Sequence, residues 1–327
     1  MRVFSQVFMH RLLVFLLLFG TLAASGTAWA QSARSRLVVV LSGELSGVYY
    51  PVGSALASLF VQKLPNTTVV LQVTRGAVNN LELLQSGRGT VGPALADTVL
   101  AAWKGIPASG FSRPAEKLRA LAPLHDTYLH VVASRRSGVR IVADMKGRRI
   151  AVGPQGSGTE LNARALLRAL GLTYNDFSRV EFVSFNQAVD LMLNDQIDVM
   201  IQSSGLGAPS IQRLVAGTEV FFLAVPELII DRMGSRVYTV SAIPAQSYGQ
   251  QHVMVPTVSI PNILMTHADV SADLVYDLTR AFHQGLESLR KAHPATAGMP
   301  PGIQLTDLPV PWHPGALRYY REIGVLD

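Results

Sequence analysis

The sharpest chemical feature of this sequence is Gly153-Pro154-Gln155-Gly156-Ser157-Gly158-Thr159, a loop that runs into a helix-like stretch. Glycine lets the backbone approach a ligand closely. The first turn of a helix offers N–H groups with no partner inside the helix, and Ser157 and Thr159 add hydroxyl donors. Together these suit a carboxylate or a phosphate. The loop is not a nucleotide motif: Gly153 and Gly158 have P-loop spacing, but Thr159-Glu160 stand where Lys and Ser or Thr are needed. Taken alone, it also reads as a plain turn followed by a capped helix.

A second loop of like make-up, Ser42-Gly43-Glu44-Leu45-Ser46-Gly47, precedes Val48-Tyr49-Tyr50-Pro51. Gly43, Ser46 and the Gly47 amide suit an anion, and Tyr49 and Tyr50 can pack on a ligand and donate from their hydroxyls. Glu44 runs against this pattern, because a carboxylate repels an anion. It fits either a ligand ammonium group or a place in solvent, and solvent is the simpler assignment. Two more polar segments, Thr74 to Asn79 and Ser203 to Pro209, fall at strand ends, where open α/β sheets bind ligands. Asn79, Asp97 and Ser204 are the candidates there. Asn79 and Asp97 each have a competing local role as a helix cap.

Searches for catalysis return nothing. No Gly-x-Ser-x-Gly elbow surrounds Ser157, and no His-Glu-x-x-His occurs. His125 and His130, the nearest histidine pair, are too far apart in sequence to place two ligands on one helix face. The absence of cysteine excludes disulfides, thiolate nucleophiles, thiolate zinc sites, iron–sulfur clusters and a lipoprotein anchor. No catalytic residue, cofactor or metal is expected.

These loops need rigid elements to hold them. The pattern predicts strands at Leu37 to Leu41, Val69 to Val73, Leu129 to Ala133, Arg149 to Val152, Val180 to Val183 and Ile197 to Ile201. Helices alternate with them: one with Val52, Leu56, Leu59 and Phe60 on a stripe, one with Val78, Leu81 and Leu84, one with Leu161, Ala165, Ala169 and Leu170, and one over Gln187 to Asn194. Alternating strands and helices predict an α/β fold with a parallel sheet. Each half repeats the plan strand, Gly/Ser loop, helix, strand, helix, strand. Toward the C-terminus, Gln250 to Ile260 and Asn262 to Thr266 read as strand. Ser271 to Arg290 reads as one amphipathic helix capped by Ser271, and Met299 to Pro314 as a proline-rich tail.

The chain has 327 residues, 49% hydrophobic and 15% charged, enough for two domains with real cores. Arg2, His10 and Arg11 precede an apolar run from Leu12 to Phe19, and small residues follow to Ala28-Trp29-Ala30. This is the layout of a cleavable signal peptide over residues 1–30. The formal charge of +6 falls to +4 once Arg2 and Arg11 are removed. An exported protein with so small an excess is not expected to bind nucleic acid.

Several blocks, in order, carry a family likeness: Gly47-Val48-Tyr49-Tyr50-Pro51 with Gly53; Asn79-Asn80-Leu81; Asp144 to Gly153; Gly156-Ser157-Gly158-Thr159-Glu160; Pro256-Thr257-Val258; and His313-Pro314-Gly315-Ala316 followed by Tyr319-Tyr320-Arg321-Glu322. From about Leu37 to Gly324 the sequence resembles the TAXI-type solute receptors of TRAP transporters, the tripartite ATP-independent periplasmic carriers. The resemblance implies a two-lobed, type II periplasmic-binding-protein fold, each lobe a mixed sheet flanked by helices, with the ligand cleft between lobes. It implies lobe 1 from residues 31–130 plus 243–327 and lobe 2 from 131–242. It also implies a monomer that carries a small carboxylate, such as a glutamate-like amino acid or a dicarboxylate, to a TRAP membrane permease. By motif, Ser46, Tyr49, Asn79, Ser157, Gly158 and Thr159 should line the cleft, with Gly43, Gly47, Gly156, Asp97 and Ser204 beside them. The sequence departs from the family pattern at Glu44, Leu45 and Arg75, where small polar residues are usual. One added acid and one added base point to a zwitterionic or larger ligand. The same loops would serve a receptor that feeds a sensor kinase, and an exported hydrolase using Ser157 is the enzymatic alternative.

Overall fold

The structure, a computed structural model, describes residues 36–249, 251–299 and 308–326. The expected signal peptide, residues 1–30, and much of the proline-rich tail lie outside the described residues.

The first strand, β1 (Arg36–Leu41), pairs in parallel with β2 (Thr67–Gln72), and α1 (Tyr49–Lys63) crosses between them. The α1 stripe Val52, Leu56, Leu59 and Phe60 is buried, as 3.6-residue spacing dictates. Next come α2 (Ala77–Gln85), β3 (Gly92–Leu95) and α3 (Ala96–Lys104). A parallel bridge between Val40 and Val91 joins the β1–β2 pair to the main sheet.

Two long strands organise the rest. The chain runs through β4 (Leu118–Ser134) and β10 (Val255–His267), of 17 and 13 residues, which pair antiparallel and pass from one lobe to the other. In lobe 1, β10 also pairs with β3. In lobe 2, β4 pairs with β7 (Val199–Ser204), and β5 (Arg149–Ala151) lies parallel to β7 and to β6 (Arg179–Glu181). The edges are completed by β8 (Val220–Phe222) against β4 and β9 (Thr239–Ile243) against β10. The sheet is therefore mixed, where the strand–helix alternation alone suggested a parallel one. The returning strands β4 and β10 run antiparallel to their neighbours. The predicted strand Leu129 to Ala133 is only the lobe 2 end of β4.

The β4–β10 register slips between Pro261 and Ile263, opposite Asp126 and Pro123. Proline has no N–H to give the ladder, so Pro261 and Pro123, one on each strand at either side of the slip, interrupt the pairing at the passage between lobes. Alternation along β4 sends Leu129, Val131 and Ala133 to one face and Val132 to the other. The first face is covered by α2, α3, α4 (Gly158–Ala169) and α7 (Glu227–Met233). The second is covered by α1, α5 (Phe185–Leu193), α6 (Pro209–Gly217), α8 (Ala272–Gln284), α9 (Leu286–Ala292) and α10 (Pro314–Glu322).

Two helices differ from expectation. The single helix over Ser271 to Arg290 breaks at Gly285. A Cβ there would lie 2.4 Å from Leu59 Cδ1, so the backbone of the break packs directly on α1. Ser271 does cap α8, its oxygen accepting from Leu274 N–H at 3.3 Å. In α4 the fully buried residues are Asn162, Ala163 and Leu166, while Leu161 and Leu170 are half-buried. Ala165 and Ala169 are buried as expected, and Asn162 joins them on the buried side, where it meets Asp97 of the other lobe.

Candidate ligand cleft between the lobes

A cavity of about 50 Å³ lies between the lobes. The N-terminal ends of four helices bound it: α1 at Tyr49 and α2 at Ala77 from lobe 1, α4 at Gly158 and α5 at Phe185 from lobe 2. Each end presents unpaired N–H groups and a partial positive charge of roughly half a unit. Two ends are capped by side chains: Ser157 Oγ accepts from Glu160 N–H at 3.2 Å, and Ser184 forms a reciprocal box with Gln187. The other two, preceded by Val48 and Gly76, have no side-chain cap.

Of the residues singled out in the sequence, Gly43, Gly47, Tyr49, Ser157, Gly158, Thr159 and Ser204 line this cavity. Ser204 is 4% exposed, and its Oγ has no hydrogen-bond partner. The Thr159 hydroxyl lies 3.2 Å from Ser203 N and 3.5 Å from Ser203 O, which fixes the α4 end to the end of β7. The Tyr49 hydroxyl donates to Asn262 Oδ1, and Asn262 Nδ2 donates to His125 O at 2.7 Å and Thr127 Oγ1 at 2.8 Å. Asn262 sits in the register slip of β10, so Tyr49 links the cavity wall to the crossing strands. Burial holds the Tyr49 pKa well above the usual tyrosine value, and the Asp97 charge adds to this, so the phenol stays protonated.

Four expected residues lie elsewhere. Ser46 is buried beneath the loop, where its carbonyl accepts from Ser210 N–H. Gly156 is absent from the wall: its φ of +69° makes the turn into α4, a conformation that favours glycine. Asn79 points outward, its Oδ1 accepting from Arg75 N–H and its Nδ2 donating to Glu82, both at 3.4 Å. The neighbouring Asn80 is fully buried and ties the loop together, donating to Ser42 O at 2.8 Å and Pro93 O at 2.9 Å. Helical rotation by one residue separates those two fates. Asp97 is outside the cavity and bridges the lobes: it accepts from Tyr238 OH at 2.9 Å, from Asn162 Nδ2 and, within lobe 1, from Thr98 N at 2.6 Å. Burial raises the Asp97 pKa above the usual carboxylate value, and these hydrogen bonds pull it partly back.

Glu44 does not face solvent. Its Oε2 accepts from Phe185 N–H at 3.0 Å, so a carboxylate of lobe 1 occupies the N-terminus of α5 in lobe 2. Burial raises its pKa, and the Phe185 hydrogen bond opposes the rise. Arg75 lines the cavity with no hydrogen bond or ion pair to its guanidinium among the described residues. The lobes meet closely at two glycines as well. A Cβ on Gly158 would lie 2.9 Å from Leu95 Cδ1 and 3.3 Å from Ala77 Cβ, and one on Gly47 would lie 3.3 Å from the Phe185 ring.

Gly76, Ala77, Ser203 and Gly205 come to the wall from the strand-end segments expected there, while Leu95 and Phe185 lie outside every segment singled out in the sequence. Phe185 had a signal: Ser184-x-x-Gln187 ahead of an apolar run is a helix start. Three histidines make packing or capping contacts, and both ring nitrogens of His125 are buried without a hydrogen-bond partner. His125 packs edge-on to Tyr49 with ring centroids 6.2 Å apart, and burial, with the nearby His293, lowers its pKa to about 3. His130 pairs with Tyr248 OH and Tyr128 O, and His313 caps α10. Ser157 Oγ serves as a cap, and no imidazole is hydrogen-bonded to it among the described residues.

Two lobes joined by crossing strands, with helix N-termini converging on the cleft, are the fold of a periplasmic binding protein. The chain is similar to the periplasmic binding protein BugD, with 16% identity, TM-score 0.55, and 89% of this chain and 98% of that chain covered. It is similar to a periplasmic transporter at 14% identity and TM-score 0.56, covering 80% of this chain and 87% of that one. A protein of Bordetella bronchiseptica RB50 has 16% identity and TM-score 0.52, with 89% and 98% covered. The chain belongs to the NMT1-like family, whose family model matches residues 40–324.

Proposed function

We propose that this protein is a periplasmic solute receptor that encloses a small organic anion between its lobes and delivers it to a membrane permease of the TRAP type. The observation that carries this reading is the convergence of four helix N-termini, two from each lobe, on one cavity. A carboxylate placed there meets unpaired N–H groups from two uncapped helices, the unpartnered Ser204 hydroxyl and the Arg75 guanidinium. Glu44 fills the α5 end and Ser157 caps the α4 end, so the two uncapped ends, α1 and α2, remain for a ligand. The names of the similar folds, a periplasmic binding protein and a periplasmic transporter, agree with an exported receptor. TAXI-type membership and a glutamate-like or dicarboxylate ligand rest on the resemblance of the sequence motifs. The hydrolase alternative needs a base at Ser157, and the cap role of that oxygen speaks against it. We place the hinge at the β4–β10 register slip.

At about 50 Å³ the cavity is well below the ~150 Å³ that holds a benzene ring. A dicarboxylate therefore holds the lobes slightly further apart than they stand here. The test is calorimetry of the protein from Gln31 onward against amino acids and organic acids. Binding of a small acid, weakened about tenfold or more by Ser204→Ala or Arg75→Ala, is the expected result, since each removes one charge-assisted contact. Failure of every small acid to bind, with turnover of an ester dependent on Ser157, refutes the receptor reading.

A further inference from the structure

A second pocket lies beside the cleft and shares no wall residue with it. Its volume is about 480 Å³, within the range of roughly 300–1,000 Å³ typical of small-molecule sites. Both lobes build it. Lobe 1 supplies α3 and the turn after it, with Lys104; lobe 2 supplies α4 and the segment after α7, with Arg164, Arg168 and Arg236. Asp97 and Tyr238 lie at its lobe-to-lobe contact.

The charge on this wall is unbalanced. Arg164 is paired with Glu160 at 2.7 Å. Lys104, Arg168 and Arg236 have no acidic side chain or hydrogen-bond partner among the described residues. Asp97, which also lines the pocket, has its oxygens taken up by Asn162, Tyr238 and Thr98. Lys104 from lobe 1 and Arg168 and Arg236 from lobe 2, all three solvent-exposed, thus face one concave space, where the Asp97 carboxylate offsets one of their three charges. Like charges brought together resist closure unless an anion joins them.

We infer that this pocket binds a small anion bearing at least two negative charges, of the polyphosphate or polycarboxylate class, and that such binding favours the shut form. The net charge of the wall selects multivalent over monovalent anions, and the size of the concave space, about 480 Å³, selects a small molecule over an acidic protein surface. Because the anion contacts both lobes, it adds a cross-lobe link absent from the open form. By linkage it tightens binding in the cleft by the same factor that the cleft ligand tightens the pocket.

The probe is inorganic pyrophosphate, titrated by calorimetry into the whole exported protein at low salt, with acetate as the monovalent control. Pyrophosphate is expected to bind and acetate not. Arg168→Ala should weaken pyrophosphate binding about tenfold, and Lys104→Ala/Arg168→Ala/Arg236→Ala about a hundredfold or more. Circular dichroism checks that the variants stay folded, and Ser204→Ala in the cleft should leave pyrophosphate affinity unchanged. In solution scattering, pyrophosphate should shrink the wild type and not the triple variant. No binding at millimolar pyrophosphate overturns the proposal, as does binding of an acidic polypeptide in its place. Affinity that survives in the triple variant but falls with Ser204→Ala assigns the anion to the cleft and also overturns it. That last result would leave the receptor reading standing, so the two fail separately.

Discussion

At the scale of single residues, Gly158 and Glu44 join the lobes across the cleft. Gly158 stands at the first turn of α4 with an ordinary backbone conformation, so its lack of a side chain matters only for the neighbours across the cleft. Gly158→Val should crowd Leu95 and Ala77 in the shut form alone. An overpacking cost of about 1–3 kcal/mol borne only by that form weakens ligand binding by roughly 5- to 150-fold. The radius of gyration of the free variant should exceed that of wild type, and unchanged affinity would show that these contacts do not limit closure. Glu44 acts through charge. Its pKa lies above the ordinary 4.5, chiefly through burial. A carboxyl raised in the folded state adds its full stability below the ordinary value, and that stability is lost as pH rises through the raised one. Wild type should therefore lose stability relative to Glu44→Gln as pH climbs above 4.5. Parallel melting curves for the two proteins across that range would refute the assignment.

At the scale of elements, the break between α8 and α9 shows packing overriding periodicity. Leu274, Leu278, Phe282 and Leu289 are all buried at helical spacing, which made one long helix the natural reading. Gly285 lets the chain turn because its backbone meets Leu59 of α1 with no room for a Cβ. Gly285→Ala should cost about 1–3 kcal/mol by overpacking, measured by urea denaturation. A gain in stability, as expected for alanine in a free helix, would mean that Leu59 yields easily. The N-terminal cap of α5 was legible as Ser184-x-x-Gln187. The partner of its remaining N–H, Glu44, lies 141 residues earlier in the chain, and no local pattern carries that pairing.

For the whole molecule, the shut arrangement rests on few polar links: Glu44 to Phe185, Asp97 to Asn162 and Tyr238, and Ser46 to Ser210. Glu44→Gln/Asp97→Ala removes the charged members. Loss of the Asp97 carboxylate alone takes the acceptor from three donors, Tyr238 OH, Asn162 Nδ2 and Thr98 N–H, at a cost of about 1–3 kcal/mol. The radius of gyration of the free double variant, measured by X-ray scattering, should exceed that of wild type, and saturating ligand should bring the two together. Equal radii without ligand would mean that apolar contacts hold the lobes. For either protein, ligand at 100 times its Kd should add roughly 2.7 kcal/mol to stability.

The sequence by itself determined the local pieces: the strand–helix alternation, the buried stripe of α1, the Ser271 cap, and the two Gly/Ser loops as entries to helices. Each of these depends on neighbours a few residues apart, so periodicity and turn chemistry reveal them. Only the tertiary structure decided which loop residues face the cavity. Asn79 and Asn80 differ by a single step of helical rotation. Gly156 and Gly158 divide turn from wall, and Asp97 is turned away toward Asn162. The placement of Glu44 and the joining of the lobes through β4 and β10 likewise rest on contacts more than a hundred residues apart. Such contacts are fixed by how whole faces pack, which no short stretch of sequence encodes.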